Sequence, residues 1–250
     1  MNTKKNEARA KRSQAIVKHC EALKLPKPVV IKEVLPSYPQ TKNTPVLSFT
    51  LAPTQQASQQ SVNPTGVLVF GSATRPGGGW RNGARAQEED VSLCSTWGVQ
   101  AENAPEGFYK QQKGFGAKSV LCAEGFWLTD QYGNDLPKPL PCSFISIACP
   151  NRKIPFVSQT PYPQLIDMLV PRIVAALNHW QEKKIPHVVL GAIGCGVFEW
   201  DPIYSALAFK KAIEHSKYQG KIVFAFTDEN IKKIFEQQLS QQQTPKPFSP

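Results

Sequence analysis

Four short, mostly apolar runs punctuate this chain: Val67–Phe70, Phe144–Cys149, Val188–Leu190 and Ile222–Phe226. Apolar character that continues along a run, instead of alternating, suits strands buried on both faces. Between the later runs the apolar residues change period. Leu165, Leu169, Ile173, Leu177 and Trp180 recur at helical spacing, as do Ile203, Leu207 and Ile213. Pro171 is expected to start or kink the first of these helices. Asp201-Pro202 reads as an N-cap followed by proline at the first helical position of the second. Strand and helix therefore alternate, which predicts an α/β protein, a three-layer α/β/α sandwich around a mixed, largely parallel sheet.

The two ends read differently. Residues 6–24 suggest a basic amphipathic helix with Ala15, Ile16, Cys20 and Leu23 on its inner side. The stretch 25–65 is rich in Pro, Thr, Ser and Gln and holds two extended candidates, Val29–Val34 and Val46–Leu51. The tail 237–250, with five Gln and three Pro, reads as frayed. Three parts are expected: a basic helix and extended arm over 1–64, packed on or leading into the domain, a core over 65–236, and a flexible tail over 237–250. No repeat of solenoid period is visible.

A hydrophobic content of 41% over 250 residues is enough for one sizeable core. No apolar run approaches the ~18–20 residues of a membrane span, and the first residues lack the apolar stretch of a secretory signal. No membrane contact and a cytoplasmic location are expected, with delivery to another cell left open. The formal charge of +10 is unevenly placed. Residues 1–33 hold nine basic and three acidic side chains, a net +6, which leaves +4 for the other 217 residues. No basic face is implied for the core. The N-terminal helix, with Lys4, Lys5, Arg9, Lys11 and Arg12, is either a solvated face or a contact for a polyanion. The six cysteines include no Cys-x-x-Cys, and no His pair lies near them, so neither a metal nor a cofactor is expected. They read as reduced thiols used as small apolar residues.

Two stretches carry chemistry. In the first, the strand Val67–Phe70 leads to Gly77, Gly78 and Gly79 and, seven residues later, to Gln87-Glu88-Glu89. Consecutive glycines expose backbone N–H groups and let a loop close over a sugar or phosphate. Adjacent acids opening a helix are favoured by its dipole. In the second, Val188–Leu190 runs into Gly191, Gly194 and Gly196 ahead of the helix at Asp201. Glycines between a parallel strand and a helix make an anion cradle. The absence of Gly-Lys-Ser/Thr excludes a Walker loop, and the spacing does not match GxGxxG. A diphosphate is the ligand that suits it.

Together the two stretches resemble the microbial-type poly(ADP-ribose) glycohydrolases. The signature of that family, three glycines, six to eight residues, then QEE, is matched by Gly77–Gly79 and Gln87–Glu89. Pro76, Trp80 and Ala86 extend the likeness, and Leu190–Phe198, LGAIGCGVF, resembles its second loop. The likeness continues more weakly through Ile147–Asn151 and Ile222–Asp228, covering roughly 65–235. It implies a macrodomain-like fold and hydrolysis of ribose–ribose O-glycosidic bonds in poly(ADP-ribose). It implies Glu89 as acid/base, Glu88 as the neighbour that positions the ribose, and Gly77, Gly78, Gly79 and Gln87 at the ribose being cleaved. Gly194, Cys195, Gly196, Val197 and Phe198 would hold the diphosphate, with Phe198 near the distal ribose. Chemically, cleavage at ribose C1 needs a proton for the leaving oxygen and then an activated water. One carboxyl of raised pKa, here Glu89 with a second acid and burial beside it, can supply both.

Two positions depart from the resemblance: Arg75 stands where relatives have Asn, and Leu128-Thr129-Asp130 lacks an Arg-Asp pair. Arg75 leaves the choice of substrate open. The partners implied are ADP-ribose, poly(ADP-ribose) and ADP-ribosylated macromolecules. Removal of single ADP-ribose units from arginine or nucleic acid is the alternative enzyme, and a non-catalytic ADP-ribose reader is the alternative class. Retention of both acids favours an enzyme. None of His19, His179, His187 and His215 sits in a triad context.

Overall fold

The computed structural model describes residues 2–33, 45–110, 114–116 and 118–240. Its strands are β1 (Val29–Lys32), β2 (Val46–Leu51), β3 (Thr65–Phe70), β4 (Ser119–Thr129), β5 (Asp135–Ile147), β6 (His187–Leu190) and β7 (Lys221–Phe226). The helices are α1 (Asn2–Glu21), α2 (Thr54–Gln59), α3 (Gln87–Ser92), α4 (Trp97–Glu102), α5 (Pro155–Ser158), α6 (Tyr162–Glu182), α7 (Pro202–His215) and α8 (Glu229–Ser240). A 3-10 turn spans Trp80–Asn82. One seven-stranded sheet runs in the order β1-β4-β5-β3-β6-β7-β2. The β1–β4 and β4–β5 ladders are antiparallel and the other four are parallel, so the sheet is mixed and mainly parallel.

Alternate residues of the central strands feed two cores. Leu68, Val188, Leu190, Ile222 and Phe224 pack with α6, α7 and α8 on one face. Val67, Val69, Val189, Val223 and Ala225 pack with residues of α2, α3 and α4 on the other. The helix-spaced set Leu165, Leu169, Ile173, Leu177 and Trp180 is fully buried along α6. Pro171 lies inside α6 and does not start it; the helix opens at Tyr162-Pro163. The inner face of α7 is Ser205, Ala206, Ala208, Phe209 and Ala212, while Ile203 is exposed. That helix is phased by alanines that admit close packing against α6, a weaker signal than its branched residues gave.

Within 1–64 the two extended candidates are integral to the sheet. β1 and β2 are its two edges, so both extended candidates are pairing partners of strands far along the chain. Val34, predicted in the first, lies outside the described residues, as do 241–250. Residues 237–240 of the expected tail belong to α8. On α1, Ile16 and Cys20 are buried with Trp80, Leu93 and Leu128, Leu23 packs beside them, and Ala15 is exposed. No helix is long and apolar enough to cross a membrane among the described residues.

Candidate active site

Parallel β2, β3, β6 and β7 end on one edge of the sheet, and the loops that leave them enclose a cleft of about 700 Å³. Ligand sites of α/β sheets form at this carboxyl edge. Into the cleft come Gly78 and Gly79 from the loop after β3, Glu88 and Glu89 from α3, and Gly194–Phe198 from the loop after β6. The two stretches singled out in the sequence are thus walls of one site.

The QEE triplet forms the first turn of α3, where the helix dipole favours acids. Glu88 and Glu89 are nevertheless only 3% and 8% exposed. Each carboxyl has one oxygen held by a loop amide. The Ser72 N–H donates to Glu88 Oε2 at 2.7 Å and the Gly79 N–H to Glu89 Oε1 at 2.8 Å. The remaining oxygens, Glu88 Oε1 and Glu89 Oε2, have no hydrogen-bond partner among the described residues, nor does Trp97 Nε1. Buried polar atoms are rarely left this way, and they concentrate where a ligand or a reaction uses them.

Burial pushes the Glu88 carboxyl up to about 8; the Ser72 amide opposes the rise and the neighbouring Glu89 adds to it. A neutral Glu88 beside Glu89 gives the pair a proton to hold at neutral pH. This has a measurable consequence for stability. Below the ordinary value of 4.5 both folded and unfolded Glu88 are protonated, and burial of the carboxyl carries no ionisation cost. As pH rises from there to about 8, the unfolded chain releases a proton that the folded chain keeps, and stability is lost. Glu88→Gln cannot titrate. Its melting temperature, relative to the native protein, is expected to rise across that window, by an amount on the order of a few kcal/mol in stability. A difference independent of pH, measured by thermal unfolding at intervals from pH 4.5 to 8.5, contradicts the buried-acid description.

The glycines act differently from the expected exposed amides. Gly78 N–H donates to the Arg75 carbonyl and Gly79 N–H to Glu89, so neither is free for a ligand. Gly77 is buried, with Trp80 where its side chain would begin, and it stands behind the cleft wall. Gly78 has φ +66°, a conformation costly for other residues, and a Cβ there would strike Glu89. The loop's first task is to hold the carboxyls. Gln87 lines the cleft, and its side-chain amide is bonded within the fold. Its Oε1 accepts from Phe70 N–H at 2.9 Å, and its Nε2 donates to the Leu68 carbonyl at 2.8 Å and to Thr54 Oγ1 at 3.3 Å. The side chain fastens α3 to the end of β3.

Opposite chemistry is offered by the second loop. The Gly196, Val197 and Phe198 amides donate to no protein group among the described residues, and Gly196 and Val197 are exposed. Consecutive free amides form an anion nest. Gly194, at φ +84°, turns the chain tightly over Trp200 and Cys149. Asp201 caps α7 by accepting from Ile203 N–H at 2.8 Å, with Pro202 next, as the sequence predicts. Cys195 is half-buried beside the nest, and the other five cysteines are buried. None of the four histidines lines the cleft. Among the described residues no group of three His, Cys, Asp or Glu side chains could hold a metal ion.

Sequence reasoning missed the part α1 plays here. Arg9 donates to the Ala84 carbonyl and to Asp90 Oδ1, both at 2.8 Å. Arg12 donates to the Leu93, Asp130 and Gln131 carbonyls, to Thr129 Oγ1 and to Cys94 Sγ. Two charges expected to be free are therefore anchors that clamp α1 across both ends of α3. Ser72, which supplies the amide to Glu88, and Pro53-Thr54, which line the cleft after β2, were also missed. Their contributions come from backbone and position, for which residue type gives no signal.

Residues 4–120 match the family model of microbial-type PARG, catalytic domain. No curated protein matches the chain. Among solved structures, poly(ADP-ribose) glycohydrolase from Thermomonospora curvata superposes with a TM-score of 0.78 at 20% identity, over 93% of this chain and 99% of that one. The Deinococcus radiodurans enzyme in complex with ADP-ribose gives 0.68 at 22% identity, over 95% and 92%. At such identities these likenesses establish the fold.

Proposed function

We propose that this chain, whose residues 4–120 match the model of microbial-type PARG, catalytic domain, hydrolyses ribose–ribose O-glycosidic bonds of poly(ADP-ribose), releasing ADP-ribose. One observation carries the reading. Two buried carboxyls, each held by one loop amide and each with an unpartnered oxygen, share a cleft with an anion nest at Gly196–Phe198. A binding module needs the nest. It has no use for a buried acid pair, which costs stability at neutral pH.

In this mechanism the nest holds the diphosphate of the unit being released. The acid pair shares a proton; when Glu89 carries it, Oε2 gives it to the leaving oxygen as the C1–O bond breaks toward an oxocarbenium-like state, and Glu89 then takes a proton from the water that attacks C1, which restores the pair. Gly79 N–H fixes the other oxygen so that the carboxyl does not turn away. Glu88, neutral at pH 7, positions the ribose. The T. curvata and D. radiodurans structures, named for the same activity and, in the second, holding ADP-ribose, favour this substrate class.

Three substrates separate the readings: poly(ADP-ribose), arginine-linked mono-ADP-ribosylated protein, and ADP-ribosylated DNA. The proposal expects the highest kcat/KM on the polymer. Higher values on either mono-ADP-ribosylated substrate would reassign the acceptor, and binding without turnover on all three would make the protein a reader.

A further inference from the structure

Seven arginines occur in the chain, and the structure uses them unequally. Arg9 and Arg12 clamp α1, Arg81 pairs with Glu102 at 2.6 Å, Arg152 donates to the Ser158 carbonyl, and Arg172 donates to the Phe115 and Ala148 carbonyls. Arg75 and Arg85 differ from these five. Both line the cleft, both are exposed, and neither guanidinium has a partner among the described residues. Their backbones, in contrast, are fixed. Arg75 N–H donates to Ser72 Oγ and its carbonyl accepts from Gly78, inside the loop that holds both carboxyls. Arg85 sits between Ala84, whose carbonyl Arg9 grips, and Ala86, which opens α3.

We propose that Arg75 and Arg85 form a second anion subsite on the acceptor side of the scissile bond, which takes the diphosphate of the adjoining ADP-ribose unit. The placement supports this. The free amides of Gly196–Phe198 come from the loop after β6, whereas the two arginines come from the loop after β3 and the start of α3, the elements that carry the catalytic pair. The proposal seats one diphosphate on the nest, the C1–O bond at Glu89, and the acceptor portion toward the loop and helix start that carry both the acids and the arginines. Guanidinium forks match phosphate oxygens and hold them in pairs of hydrogen bonds. The basic surface continues beyond. The first turns of α1 pack on the same loop, with the Asn6 carbonyl against Gly83, and carry exposed Lys4 and Lys5. A repeating polyanion fits a second phosphate subsite followed by more positive charge; a cationic arginine acceptor does not.

The inference rests on the polymer reading, and binding tests it apart from turnover. In a Glu89→Gln background, which prevents consumption of the ligand, affinities for ADP-ribose and for a two-unit ADP-ribose oligomer are measured by calorimetry with and without Arg75→Gln/Arg85→Gln. The expected result is a dimer that binds about tenfold or more tighter than the monomer, as charge-assisted hydrogen bonds imply. The double variant loses that advantage and keeps its affinity for the monomer, which also shows that it is folded. A dimer advantage that survives the variant, or equal losses for dimer and monomer, overturns the subsite. An ADP-ribosylated oligonucleotide is titrated alongside, and a loss confined to it also overturns the subsite by assigning the arginines to nucleic-acid phosphates. Failure of the native protein to cleave polymer refutes the activity and leaves this affinity ratio as a separate result.

Discussion

Glu89→Gln is expected to lower turnover of poly(ADP-ribose) on the order of 10²–10⁴-fold while leaving ADP-ribose affinity in place. The substitution keeps the shape of the side chain and an oxygen that can accept from Gly79 N–H, the contact seen at 2.8 Å. In the proposed mechanism it removes the proton exchanged through Oε2, a buried oxygen with no hydrogen-bond partner among the described residues. Single-turnover assays beside calorimetric titration separate the two effects. Glu88→Gln is expected to be milder and to appear partly in KM, since a neutral Glu88 is already close to an amide in charge. An active Glu89→Gln protein together with an inactive Glu88→Gln protein would exchange the two roles.

A comparable loss is expected from a single methyl group. Gly78→Ala places a Cβ against Glu89 Oε1, 3.0 Å from Glu89 Cδ and 3.1 Å from Glu88 Oε2, on a backbone at φ +66°. Left-handed conformation costs an alanine roughly 1–2 kcal/mol, a modest fall in melting temperature. The larger consequence is displacement of the acid from its place. Misplacement of a reacting group by about 1 Å can cost on the order of 10²-fold in rate. Gly196→Ala is the matched comparison for stability, because a Cβ there has nothing within 4 Å and the melting temperature should not move. Full polymer turnover by Gly78→Ala would mean that the loop does not position Glu89.

Much of this could be read in advance where the signal was local. Val46–Leu51 was delimited to the residue, Val67–Phe70 and Ile222–Phe226 fell inside their strands, and the QEE triplet opened a helix as its charge suggested. Long-range pairing was not legible. β2 looked like part of an arm because its partner β7 lies near the other end of the chain. The first half of β5 was hidden by Pro137, Pro139 and Pro141, which a strand tolerates only where one side is unpaired; pairing with β3 begins at Cys142. The site itself was legible in residue type and misread in geometry. Three glycines suggested free amides, yet two of those amides are spent on the loop and on Glu89. Arg9 and Arg12 looked like free charge because their acceptors are mainly backbone carbonyls, which every sequence supplies equally.

The most direct test of the account is the identity of the product formed from purified poly(ADP-ribose). Chromatography with mass detection distinguishes the bonds that could break. Hydrolysis at ribose C1 in this cleft predicts free ADP-ribose, accumulating with time in the native protein and suppressed in Glu89→Gln. Phosphoribosyl-AMP as the product would place the cut at the diphosphate, and unchanged polymer would leave a cleft that binds without cleaving; either result contradicts glycosidic hydrolysis by Glu89.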